Sequence, residues 1–173
     1  MLYHLLYPLR VKFGALNVFQ YLTFRSILAF FIAIVLVLIF QPKFIRWFRS
    51  REVGQPIRSD GPESHLSKKG TPTMGGIVVV GSVLTATLLL ADLTNTYVWA
   101  VVGVTAFYAL LGFIDDYKKV RVQNSKGVRA KTKLVWQIVA AALAVTAVVL
   151  LEPEYSTAVT MPFFKNVSFD LGW

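Results

Sequence analysis

The chain has 173 residues, of which 55% are hydrophobic and 16% charged, and it carries a net charge of +9. A soluble domain of this size has about 25% charged residues, and here the shortfall is local: long charge-free apolar runs alternate with short basic segments, as expected for a chain that uses lipid as its solvent. The same alternation argues against nucleic acid as a partner, because the basic residues lie between hydrophobic runs instead of on one solvated face; the absence of cysteine excludes disulfides and thiolate metal sites.

Residues 1–20 lack a short apolar core followed by a small-residue cleavage site, so the N-terminus is expected to be retained. His4 carries no signal. The first membrane span is expected over about 22–40, with Arg25 able to reach the interface and Pro42 suited to a helix end. A second span is expected over about 75–91 and a third over about 97–114, joined by the short link Asp92–Thr96 and therefore forming an antiparallel hairpin. A fourth is expected over about 134–151, with Trp99 and Trp136 near helix ends where aromatic belts form. The tail from Glu152 to Trp173 is mixed and suits an interfacial position. The fold class is all-α: a polytopic helical bundle with about four transmembrane helices in this chain.

Orientation follows from the cations. The segments 41–74 and 115–133 hold fourteen of the eighteen lysines and arginines, while the Asp92–Thr96 link holds none. Four spans put both segments on one side, and the positive-inside rule makes that side cytoplasmic and puts both termini outside.

Two segments carry candidate chemistry. The third span ends in Gly112-Phe113-Ile114-Asp115-Asp116-Tyr117-Lys118-Lys119. Adjacent carboxylates at a membrane boundary resist joint ionisation, and a divalent cation such as Mg²⁺ would relieve the conflict. The bland alternative is a solvated helix end, although a helix C-terminus disfavours anions. The first basic segment contains Asp60-Gly61-Pro62-Glu63-Ser64-His65 and Lys68-Lys69-Gly70-Thr71-Pro72-Thr73-Met74-Gly75-Gly76. Glycines allow close backbone approach, amides at a helix start attract phosphate, and Lys68, Lys69, Thr71 and Thr73 offer charges and hydroxyls. A Pro/Gly loop entering a membrane helix, with ordinary positive-inside lysines, explains the composition slightly better. In the second basic segment, Lys119 and Lys131 could help hold diphosphate beside the Asp pair or simply face anionic headgroups.

Together with Asn17-Val18-Phe19-Gln20-Tyr21-Leu22-Thr23-Phe24-Arg25, these motifs resemble the bacterial phospho-N-acetylmuramoyl-pentapeptide transferase (MraY) family over essentially the whole chain. The resemblance implies transfer of phospho-MurNAc-pentapeptide from UDP-MurNAc-pentapeptide to undecaprenyl phosphate at the cytoplasmic face of the inner membrane, giving lipid I and UMP with Mg²⁺. It implies that Asp115 deprotonates or positions the lipid phosphate, that Asp116 helps hold the phosphates and the metal, and that Lys68 and Thr73 contact the nucleotide sugar. It also implies a possible homodimer. Members of the family are roughly twice as long, with about ten transmembrane helices, and their later part supplies further Asp and His motifs. The chain is therefore expected to be an N-terminal portion that needs the missing C-terminal half and is inactive alone. Two other readings stand beside this one: a related polyprenyl-phosphate GlcNAc-1-phosphate transferase, which shares mainly the Asp-Asp motif, and a non-enzymatic membrane subunit.

Overall fold

The computed structural model describes residues 2–50, 74–122, 127–152, 156–160, 168–170 and 172. Its elements are α1 (Leu2–Leu6), two 3₁₀ turns (Tyr7–Val11 and Gly14–Gln20), α2 (Leu22–Ser50), α3 (Gly76–Leu90), α4 (Thr96–Val122), α5 (Ala130–Leu151) and a two-stranded antiparallel ribbon. The ribbon pairs β1 (Ala158–Thr160) with β2 (Ser168–Asp170), setting Val159 opposite Phe169.

Helices α2, α4 and α5 are long and apolar enough to cross a membrane, and α3 is a shorter apolar helix of 15 residues. Each packs against the next in chain order: α2 on α3, α3 on α4, α4 on α5. The pairs run antiparallel. Arg25 at the start of α2 meets Leu90 at the end of α3, and Phe40 meets Val78 at the opposite end. Tyr108 of α4 donates its hydroxyl to the Gln137 carbonyl of α5 at 3.0 Å.

The interior is small. Ala33, Phe48, Met74, Ala86, Leu90 and Val148 are the buried apolar residues among those described, while Leu38, Val101, Leu143 and Leu150 are 65–77% exposed. An apolar surface of this kind is a liability in water and the expected condition in hydrocarbon. The chain is a multi-pass membrane protein.

Two helices outrun the lengths expected from hydropathy. α2 continues through Pro42 to Ser50 instead of ending there. Proline removes one amide donor from the ladder, but beyond it Phe44 and Phe48, one turn apart, bring their rings to 4.4 Å and support the next two turns. At 1.5 Å per residue the 29-residue helix is about 43 Å long, more than the roughly 30 Å hydrocarbon core. Likewise α4 runs eight residues past Ile114, so Asp115 and Asp116 lie inside a helix and not at its C-terminus. Lys119 bonds to both carboxylates from one turn further on, which favours continuation.

At the end of the bundle away from these extensions, α1 folds back onto the α3–α4 link. His4 Nε2 accepts the Leu93 amide at 3.2 Å and lies 3.2 Å from the Asp92 carboxylate. The Arg25 guanidinium covers the Tyr3 ring at 4.1 Å and reaches the Leu90 carbonyl at 3.4 Å, so it is held by the protein instead of extending freely to the interface.

Candidate active site

The extension of α4 places the Asp pair. Successive residues on a helix point about 100° apart, so the two carboxylates do not share one environment. Asp115 is only 4% exposed and, with Ser82, is one of two buried polar residues among those described. Its Oδ2 receives Lys119 Nζ at 2.7 Å and Lys133 Nζ at 2.6 Å, and its Oδ1 accepts the Val128 amide at 2.7 Å. Lys119 comes from the next turn of α4 and Lys133 from the first turn of α5, so the antiparallel α4–α5 pair assembles the cluster.

Gly127 completes it. A β-carbon there would collide with the Asp115 carboxylate and approach Lys119 Cε to 2.8 Å, so glycine at 127 lets the backbone lie against the acid.

Asp115 lies past the apolar stretch of α4, among lysines. Burial pushes its carboxyl up, but hydrogen bonds from Lys119, Lys133 and the Val128 amide outweigh that and hold it well below the usual carboxylate range. The hydrogen bond to Asp115 correspondingly raises Lys119. The expected conflict between two adjacent anions is thus met by ammonium groups: two on Asp115, with Lys119 also 3.4 Å from Asp116 Oδ1.

Asp116 faces elsewhere, with a side chain about one-third exposed (34%). It lies at one end of an apolar groove of about 470 Å³ between α3 and α4, lined by Met74, Gly76, Leu84, Leu110 and Phe113 among others. Met74, at the foot of α3, is buried with a φ of 71°. The turn into α3 therefore stands across the groove from Asp116.

Lys119 is the i+4 partner of Asp115, a spacing legible in the sequence. No local sequence pattern marks Lys133 or Gly127, because only the docking of α5 brings them to Asp115. Lys131, two residues and about 200° away around α5, is exposed and is not brought to the cluster. Lys68 and Thr73, with His65, Lys69 and Thr71, lie outside the described residues. Among the described residues no three His, Cys, Asp or Glu side chains gather as a metal site. With both Asp115 oxygens engaged, Asp116 is the accessible carboxylate of the pair.

Comparison with known proteins supplies the family. Residues 68–80 match the phospho-N-acetylmuramoyl-pentapeptide-transferase signature 1, a match that ends inside α3 at the groove. The whole chain aligns with phospho-N-acetylmuramoyl-pentapeptide-transferases from Syntrophus aciditrophicus at 49% identity, Maridesulfovibrio salexigens at 47% and Desulfotalea psychrophila at 50%. It spans about half of their length, 48% in each case. The signature and the end-to-end similarity make the chain similar to the N-terminal half of phospho-N-acetylmuramoyl-pentapeptide-transferases.

Proposed function

We propose that the chain forms the N-terminal half of an enzyme that moves phospho-MurNAc-pentapeptide from UDP-MurNAc-pentapeptide to undecaprenyl phosphate, producing lipid I and UMP. A phosphate oxygen of the lipid attacks the sugar-linked phosphorus, the diphosphate bond of the nucleotide breaks, and UMP leaves with the electron pair. The observation that carries the reading is the polar end of the bundle: Asp116 at one end of an apolar groove lined in part by the end of the family signature, and beside it in the chain the buried Asp115 held by Lys119 and Lys133. Transfer between two phosphates needs positioning and charge neutralisation more than covalent machinery.

Within this reading Asp116 contributes a ligand to Mg²⁺, which neutralises charge on the diphosphate when bound. Lys119 and Lys133 supply further positive charge for phosphate oxygens. Asp115 is a weak base while both lysines hold it, so it becomes available to the lipid phosphate when the substrate diphosphate draws those lysines away. Lys68 and Thr73 contact the nucleotide sugar. The basic end faces the cytoplasm of the inner membrane and the N-terminus faces the periplasm, in keeping with the cation distribution.

The test is UMP release from UDP-MurNAc-pentapeptide by the full-length polypeptide in membranes containing undecaprenyl phosphate. Asp116→Asn should lower the rate about 100-fold or more, the scale set by losing one group that stabilises transition-state charge. Preserved turnover in that variant, with normal membrane insertion, would refute the assignment; turnover of UDP-GlcNAc instead would favour the related hexosamine-phosphate transferases.

A further inference from the structure

Gln41 lies inside α2, one residue before Pro42, where α2 passes the foot of α3. Its Nε2 is 2.7 Å from where a β-carbon on Gly75 would sit. Its Oε1 is buried and has no hydrogen-bond partner among the described residues. A buried amide oxygen left without a bond weakens a fold, so stability alone does not account for glutamine here.

The turn it touches is unusual. Met74 is the one non-glycine residue with positive φ among those described, at 71°, and it is buried. Such a conformation is costly for a residue with a β-carbon and persists only where the surroundings enforce it. The turn is closed by the Ile77 amide bonding to the Met74 carbonyl at 3.1 Å, and α3 begins with Gly75 as a cap that provides no side-chain bond. Met74 and Gly76 line the groove that Asp116 shares.

We propose that Gln41 is a positioning residue for the transfer reaction: wedged against Gly75 from the rigid α2 helix, its amide fixes the Met74–Gly76 turn across the groove from Asp116. The inference rests on the transferase reading and adds to it a residue outside the signature, on a different helix from either Asp or the lysine cluster. Glycine at 75 is the other half of the device, because any β-carbon there would meet the amide.

The test uses the full-length polypeptide with UMP release as the readout. Small displacements of a positioning element cost up to about 100-fold in rate, so Gln41→Ala should raise the KM for UDP-MurNAc-pentapeptide about tenfold and leave the KM for undecaprenyl phosphate unchanged. A residue that only supports folding would reduce the amount of active protein and move neither KM. Gly75→Ala should act in the same direction. The double variant Gly75→Ala/Gln41→Ala should lose no more than Gln41→Ala alone, since the truncated side chain leaves room for the new β-carbon. An unchanged nucleotide-sugar KM in Gln41→Ala, or losses that multiply in the double variant, would overturn the proposal. If the wild type itself releases no UMP, the transferase reading and this inference fall together; if it does and Gln41→Ala matches it, only this inference falls.

Discussion

Each end of the helical bundle holds an aspartate beside basic side chains, and the two are built differently. At the basic end, Asp115 is buried and bonded by two lysines and a backbone amide from three separate segments. At the other end, Asp92 is served mainly by its own turn, bonding the Thr94 hydroxyl at 2.7 Å and the Thr94 amide at 3.1 Å, with His4 at 3.2 Å. Both carboxyls are lowered from their ordinary range, Asp92 first by the Thr94 hydroxyl and Asp115 by lysines that overcome its burial. The contrast separates a local turn, which any short polar link can form, from a cluster that exists only when α4 and α5 are correctly packed. Burial makes the second arrangement expensive to leave incomplete.

The sharpest way to break the comparison is to neutralise each acid in turn in the full-length polypeptide. Asp115→Asn should reduce UMP release about 100-fold or more, whereas Asp92→Asn should leave it within about twofold, since its energy is confined to an exposed turn. Equal losses at both ends would show that the contrast has no functional meaning.

Removing one cation should have a smaller effect. Lys133→Met leaves Asp115 with Lys119 and should slow transfer about tenfold; it should also destabilise the fold by about 1–2 kcal/mol, discounted because the lysine is one-third exposed (34%). Thermal unfolding in detergent and UMP release measure the two effects. Gly127→Ala tests the backbone side of the same cluster: the added methyl must push the carboxylate or Lys119 aside, so melting should fall by a few degrees and Lys133→Met should add little on top of it.

Acid pH sharpens the comparison further. A carboxyl whose folded pKa is depressed adds stability that is complete above its unfolded value, near 4, and is lost as the pH falls through the folded value. Melting of the wild type should therefore be flat from neutrality to about pH 5 and decline below it, and Asp115→Asn should flatten that decline. The smallest effect belongs to His4→Ala, which removes an exposed contact and should cost about 0.5 kcal/mol with no change in transfer.

Much of this architecture was legible in the residues, for reasons specific to membranes. Charge-free runs of spanning length leave helix as the main option for backbone hydrogen bonding in lipid, so the four apolar segments and the α3–α4 hairpin follow from hydropathy. Hydropathy does not see where a helix stops once it enters polar surroundings. Phe44 with Phe48, and Asp115 with Lys119, carry α2 and α4 beyond their apolar stretches through contacts between side chains one turn apart. The Asp pair stood out as a costly feature, but what answers it on Asp115 depends on Lys133, eighteen positions later, and no local pattern distinguishes Lys133 from Lys131 until α5 has a rotational setting. Gln41 was hidden for the same reason: it is unusual only beside Gly75.

The dependence of Asp115 on Lys133 also has an order in time. Synthesis delivers the acid first, and its second counterion follows only with the next helix. While α4 enters the membrane, its polar end has Lys119 and water for company, and the acid can be enclosed only once α5 has been threaded beside it. Burial of one carboxylate thus records, in a single side chain, that two neighbouring helices were inserted in the right sense.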